Sequence, residues 1–169
     1  MKKPISFLDL IQTIAIVFGI VYGMMELSNL RAERAQQGAL ELAQYLQAPG
    51  FQAGIAVILE IPDGSSRADI ITAFGPDIDL LNHVGQVFET IGVLVWRGEL
   101  EIGLVDDLLG GGTITAWEKT RPYWEGFRVT MNRPSIAEWF QWLAERLNGM
   151  ETDRHEPAYK AYQNWTPKR

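Results

Sequence analysis

Two arginines, Arg121 and Arg128, have the residue type and spacing best suited to chemistry in this sequence. They alternate with Trp117, Trp124 and Met131 at intervals of three and four residues, which places all five on one face of a helix. Guanidinium groups in aromatic surroundings stack on the rings or pair with a buried carboxylate. The pattern therefore predicts either a buried ion pair or an anion pocket around Arg121 and Arg128.

Acidic residues in the middle of the chain could pair with these arginines or bind a cation. They are Glu89, Glu99, Glu101, Asp106, Asp107 and Glu118. Converging carboxylates bind divalent cations through oxygen, but the sequence has no calcium-loop pattern, and charged side chains are mostly solvated. We therefore expect a solvated acidic surface and no metal site, with Glu89, Asp106 and Asp107 as possible partners of the arginines.

The remaining chemically active residue types do not form a catalytic pattern. His83 and His155 lie far apart and lack the neighbouring ligands that a zinc site requires. The three glycines of residues 110–112 lack the lysine and hydroxyl residue of a phosphate loop. Since the chain contains no cysteine, thiolate chemistry and disulfides are excluded. We predict no enzyme activity, no catalytic residue and no cofactor.

The apolar stretch Leu10–Met25 dominates the organisation of the chain. From Ile5 to Met25 only Asp9 and Gln12 are strongly polar, and a helix of this length measures roughly 30 Å, the thickness of a bilayer's hydrocarbon core. A buried soluble helix would need a polar face, and a cleaved signal peptide would need a small-residue cleavage site. The sequence favours an uncleaved transmembrane helix, and hence a single-pass protein of the cell membrane.

Small residues recur along one face of this predicted span. Ala15, Gly19 and Gly23 are spaced four residues apart, so a neighbouring helix could approach closely there. We predict that this face packs against a second copy or against another membrane protein, with the bilayer as the other partner. The rival interpretation is a helix alone in lipid.

The charges of the chain exclude one class of partner and leave the orientation open. The net charge is −6 and the isoelectric point is about 4.9, which argues against nucleic acid as a partner because phosphate binding needs a basic surface. Lys2 and Lys3 precede the predicted span, and Arg31 and Arg34 follow it. Since the positive charges are balanced, the side of the membrane that carries the remaining chain is not predicted.

The sequence predicts four segments: a membrane anchor at 1–27, a stalk helix at 28–48, a helical domain at 49–149 and a polar C-terminal tail at 150–169. The stalk is rich in helix-forming residues and has one apolar stripe. The stripe consists of Ala32, Ala35, Ala39, Leu42 and Leu46. It fits either a short coiled coil or packing against the domain's own core.

The predicted fold class is all-α, with the transmembrane helix continuing into the stalk and then a compact multi-helix domain. Apolar periodicity predicts domain helices at about 51–61, 67–74, 77–97, 99–109, 114–131 and 136–147. The glycines at 110–112 predict a break, and Pro122 predicts a kink or a division into two short helices. Ser135 and Glu138 have capping-box spacing and predict the start of the last helix, which Asn148 and Gly149 should end.

These segments resemble a family of uncharacterised bacterial and phage proteins that is catalogued as a domain of unknown function. The resemblance is carried by the anchor followed by residues 30–34, by 88–92 with 94–95, by Leu104, Val105 and Leu108, by 117–118 with Arg128, and by 138–143. It implies a single-pass anchor and a small helical domain over residues 5 to 147. It implies no known activity.

Three functions remain open on this reasoning. The first is a membrane-anchored interaction module or an accessory subunit of a membrane complex. The second is a membrane-tethered sensor or regulator, which would require a ligand pocket near Arg121 and Arg128. The third is an enzyme, which would require converging acidic residues with perturbed pKa values. The absence of a catalytic set favours the first.

Overall fold

The computed structural model describes the backbone of residues 7–153 and 156–166, and the side chains of residues 16–27, 30, 33, 37–150 and 156–166. Within these ranges the regular structure is entirely helical, with seven α-helices and no strand. They are α1 (Phe7–Gln47), α2 (Pro49–Glu60), α3 (Arg67–Phe74), α4 (Ile78–Trp96), α5 (Ile102–Met131), α6 (Glu138–Asp153) and α7 (Ala158–Ala161), with a 3-10 turn at Gly75–Asp77. The predicted all-α class is confirmed.

The helix α1 is continuous from Phe7 to Gln47. The predicted continuation of the N-terminal helix into the stalk is therefore confirmed, and Pro49 begins the next helix after a break at Ala48. Near its C-terminal end, α1 packs on the domain through the fully buried Leu42. Of the alternatives for the stalk stripe, packing against the domain's own core holds at this position, whereas the side chains of Ala32 and Ala35 lie outside the described residues.

The core is built around α4, which packs between α2 and α6. Phe88 on α4 stacks on Phe140 of α6 with ring centroids 4.5 Å apart, and it meets Phe51 of α2 edge-on at 5.5 Å. Close approach of α6 depends on Gly92, since a β-carbon there would lie 2.5 Å from the backbone oxygen of Trp139. The periodic apolar face predicted for residues 77–97 is thus the centre of the core.

The start of α3 follows the sequence signal. The Ser66 hydroxyl accepts a hydrogen bond from the Asp69 amide at 3.3 Å, and the Asp69 carboxylate accepts one from the Ser66 amide at 2.9 Å. This reciprocal pair is a capping box, and it lowers the pKa of Asp69, chiefly through the side-chain hydrogen bond from Ser66. The predicted helix at 67–74 is confirmed.

The predicted break at the glycine run is wrong, because α5 continues through Gly110, Gly111, Gly112 and Pro122 as one helix of 30 residues. Three glycines cost a helix about 3 kcal/mol relative to alanine. Side chains on both sides of the run are buried in the core, among them Val105, Ile114 and Trp117. Packing on both sides of the glycines therefore outweighs their poor helix propensity.

The predicted start and end of the last helix are also wrong. The helix α6 begins at Glu138 and not at Ile136, and it continues past Gly149 to Asp153. Ala137, directly before it, has a left-handed backbone with φ of 54°. A non-glycine residue in this region costs about 1–3 kcal/mol, so contacts elsewhere must hold the loop in place. Those contacts involve Arg128 and Glu89.

Candidate functional site

Arg128 is a half-buried residue of α5 that holds the loop between α5 and α6. Its Nε donates to the carbonyl of Ile136 at 2.7 Å, its Nη2 to the carbonyl of Ala137 at 3.1 Å, and its Nη1 to Oε1 of Gln141 at 2.8 Å. The guanidinium carbon also lies 5.8 Å from the centroid of the Trp117 ring. Because all three nitrogens donate to neutral oxygens of the protein, Arg128 supports the strained loop.

Arg121 occupies a different environment. Its side chain is 59% exposed, and its Nε lies 3.9 Å from the Glu125 carboxylate one helical turn away. Exposed pairs of this kind contribute little to stability. The two arginines both lie on α5, but the structure does not bring them together in one anion pocket. Arg121 is also not part of a buried ion pair, because its contact with Glu125 is exposed.

Glu89, predicted as a possible partner of the arginines, has another role. One carboxylate oxygen of Glu89 accepts hydrogen bonds from the amides of Trp139 at 2.7 Å and Phe140 at 3.1 Å. These amides belong to the first turn of α6, where unsatisfied N–H groups favour an anion. Burial raises the pKa of the Glu89 carboxyl, and these hydrogen bonds oppose that effect. A carboxylate from α4 thus replaces the predicted local capping box.

Lys119 plays the corresponding part at the end of α2, and sequence reasoning missed it. Its Nζ donates to the carbonyls of Ile61 and Leu59, the latter at 3.3 Å, and lies 3.2 Å from the Asp63 carboxylate. A cation at a helix C-terminus binds carbonyls that lack a helical partner. No local signal could reveal this contact, because Lys119 lies about sixty positions further along the chain.

The acidic residues do not form a metal centre in the part of the chain that the structure describes. No group of three or more His, Asp or Glu side chains there could hold a metal ion. Glu89 instead serves a helix end, and Asp63 and Glu125 pair with Lys119 and Arg121.

The surface that stands out is the apolar part of α1 between residues 16 and 30, here called the N-terminal arm. Its large apolar side chains are between 42% and 72% exposed, and they occur on all sides of the helix. They are Ile16, Val17, Phe18, Ile20, Val21, Tyr22, Met24, Met25, Leu27 and Leu30. A contiguous apolar surface of this extent marks a site of contact with another molecule or with lipid.

The small-residue face lies partly within the arm. A β-carbon at Gly19 or Gly23 would meet no atom within 4 Å, so both backbones are open to an approaching helix. The side chain of Ala15, the first member of the face, lies outside the described residues. The arrangement therefore leaves room for another helix to pack closely at these two glycines, but it does not identify that helix.

Among the described residues, no helix is both long enough and apolar enough to cross a membrane. The transmembrane helix predicted at Leu10–Met25 is therefore not confirmed. The side chains of its first part, residues 10–15, lie outside the described residues.

The fold defines a class of protein: a helical domain with a strained, charge-supported loop and a long helix that carries an exposed apolar arm. The chain belongs to the family described as Domain of unknown function (DUF4760), which it matches over residues 13–147. The match includes the whole arm and all of α2 to α5. Comparison with curated proteins and with solved structures finds no match.

Proposed function

We propose that the protein is a membrane-anchored interaction module, or accessory subunit of a membrane complex, held in the cell membrane by the N-terminal part of α1. The observation that supports this proposal is the N-terminal arm. Its apolar side chains are exposed, and the sequence continues upstream as an apolar run from Leu10. Moving apolar surface out of water releases about 25 cal/mol per Å². Since apolar side chains surround the arm, lipid matches it better than a one-sided protein groove does.

The partner of this module is proposed to bind through α1 within the bilayer. Apolar side chains gain little by leaving lipid for another helix, so helix association in membranes depends on close packing of small residues. Gly19 and Gly23 supply such a surface, and the structure leaves the space around both glycines open. The partner is then a second copy of this chain or a helix of another membrane protein.

The anchoring is tested by floating full-length protein on phosphatidylcholine vesicles and then washing the vesicles with alkaline carbonate. We expect the wild-type chain to stay with the vesicles. A variant with Phe18→Lys and Val21→Lys should be released, because each lysine at the centre of a span costs about 2.5–3.5 kcal/mol. The matched control is Leu40→Lys, since Leu40 is 59% exposed on the same helix but outside the arm. Release of the wild-type chain by carbonate would reject the anchor.

The partner is tested by energy transfer between labelled chains in vesicles and by affinity purification from gently solubilised membranes. Gly19→Ile with Gly23→Ile should weaken association, whereas Val17→Leu with Val21→Leu, on another face of the helix, should not. Association that is unchanged in the glycine variant would exclude this face. A stoichiometric membrane protein that is purified with the wild-type chain and lost with the glycine variant would identify a complex subunit.

The sensor alternative has less support than the interaction module. It requires a ligand pocket near Arg121 and Arg128. A depression of about 480 Å³ beside the α5–α6 loop is lined by Phe127, Ile136 and Ala137 but by neither arginine, since Arg128 binds that loop and Arg121 is exposed beside Glu125. An anion at Arg128 would have to displace its hydrogen bonds to the Ile136 and Ala137 carbonyls, and the Ile136 carbonyl would lose its donor. For this reason the interaction module is the function that we propose.

A further inference from the structure

Three tryptophans form an aromatic cluster at the surface of the domain, which we call the tryptophan patch. Trp96 lies at the end of α4, and Trp139 and Trp142 lie in the first turns of α6. The Trp96 and Trp139 ring centroids are 5.1 Å apart, and those of Trp139 and Trp142 are 5.9 Å apart. Trp96 is 60% exposed. Trp139 and Trp142 are partly buried, and Trp142 packs against the core. Since indoles normally bury their surface in a core, the exposed ring of Trp96 beside two partly exposed rings requires an explanation.

The apolar character continues around the patch. A depression of about 490 Å³ beside Trp96 and Trp142 is lined in part by Val95 and Ile102, and a smaller one of about 190 Å³ lies at Trp139 and Trp142. Arg146 stands 5.9 Å from the Trp142 ring centroid, while Glu101 and Glu138 line the two depressions. The surface is therefore aromatic, with charges of both signs at its edge.

The packing of α1 fixes where this patch lies relative to the N-terminal arm. Phe51, just after α1, contacts Phe88 in the middle of α4, whereas Gly38 of α1 lies against Leu100, beyond the end of α4. Passing from residue 51 back to residue 38 therefore leads toward the C-terminal end of α4. Residues before Gly38 continue in that direction, so the arm extends beyond the end of the domain that carries Trp96.

We propose that the tryptophan patch is a second membrane contact, which rests on the headgroup region of the bilayer that holds the arm. This inference depends on the proposed membrane anchoring. The turn between α4 and α5 connects the two surfaces, because Gly98 lies both beside α1 and beside the patch. About 12 Å of helix separates Gly38 from Leu30, a gap that an indole ring and an ordinary tilt of α1 reduce.

The chemistry of the patch fits this occupant. Indole places an apolar ring and one N–H donor at the boundary between lipid chains and water, and tryptophan is enriched at that boundary. Arg146 can bind a lipid phosphate at the edge of the patch. Because Glu101 and Glu138 are close by, we expect a zwitterionic phosphatidylcholine surface to be bound at least as well as an anionic one.

The absence of cysteine allows the contact to be tested by single-site labelling of the full-length chain. Trp96→Cys would carry an environment-sensitive fluorophore at the patch. Leu59→Cys is the matched control, because Leu59 is 55% exposed and lies at the far end of α2, which runs antiparallel to α4. Both chains are reconstituted in phosphatidylcholine vesicles with and without brominated lipid.

We expect brominated lipid to quench the label at residue 96 by at least twofold and to leave the label at residue 59 unchanged. If the chain resists carbonate and both labels are quenched equally and weakly, the tryptophan patch does not contact the membrane. The proposed anchoring by the arm would then still hold. Disulfide cross-linking between residue 96 of two unlabelled Trp96→Cys chains in the same vesicles would show that a second copy covers the patch, which also overturns the proposal. A chain released by carbonate would reject the anchor and the patch together.

Discussion

The N-terminal arm and the domain core use the same residue types for opposite purposes. Phe18 in the arm is 72% exposed, whereas Phe88 in the core is fully buried between Phe51 and Phe140. The core buries its apolar surface within the chain, whereas the apolar surface of the arm stays exposed. The comparison shows that composition cannot separate an apolar residue that stabilises the fold from one that is available to a partner. Only the position of other helices around the residue separates them.

The largest difference in the free energy of unfolding is expected between variants that lack the phenyl ring of Phe88 and of Phe18. Phe88→Ala should lower the free energy of unfolding by about 3–5 kcal/mol, because it leaves a cavity among packed aromatic rings. Phe18→Ala should change it by less than about 0.5 kcal/mol, because the ring has no packing to lose. Urea unfolding of the full-length chain in mild detergent, followed by tryptophan fluorescence, measures both. A similar loss in the two variants would mean that the arm packs on the domain.

The two arginines give the next largest contrast. Arg128→Ala should cost about 2–3 kcal/mol, since it removes three charge-assisted hydrogen bonds and leaves the Ile136 carbonyl without its donor. Arg128→Lys should restore little of this, because an ammonium cannot reproduce the fork of donors. Arg121→Ala should stay within about 0.5 kcal/mol. If Arg128→Ala were fully stable in the same urea experiment, its role in holding the loop would be wrong.

Two glycines in helix interiors should respond in opposite directions. Gly92→Ala is expected to destabilise the domain by about 1–3 kcal/mol, because its β-carbon would overlap the backbone of Trp139, which cannot move freely. Gly111→Ala should stabilise it by up to about 1 kcal/mol, since that position is exposed and nothing lies within 4 Å. Thermal unfolding of both variants checks the signs. Destabilisation by Gly111→Ala would indicate that the helix through residues 110–112 is not continuous.

The smallest expected effect is the pH dependence that Glu89 contributes. Burial raises its pKa in the folded state, so the folded chain binds the proton more readily than the unfolded chain does. The contribution to stability is therefore complete below the unfolded pKa and decreases as pH rises through the raised folded value. Glu89→Gln keeps an acceptor for the Trp139 amide but does not titrate. Relative to this variant, the wild type should lose stability between acidic and neutral pH, and parallel profiles would contradict the assignment.

Local signals in the sequence were sufficient for much of the fold. The capping pair at Ser66 and Asp69, the periodic face around Phe88 and the stop at Pro49 each act within a few residues, so the helices at these points were predictable. Residues 110–112 and Ser135 also carry strong local signals, and these failed, as did the division into two helices that Pro122 predicted as one of two alternatives. At each of these positions, packing or a contact from another helix outweighed the local preference of the backbone.

What the sequence by itself determined about this protein is the all-α class and the apolar run at its N-terminus. Tertiary structure alone decided that Arg128 binds the carbonyls of the α5–α6 loop, that Glu89 binds the first amides of α6, that Lys119 serves the end of α2, and that three tryptophans meet at the surface of the domain. The physical reason is the separation along the sequence over which each interaction acts. Helix propensity and capping depend on neighbours along the chain, whereas these contacts join residues that only the packing of separate helices brings together.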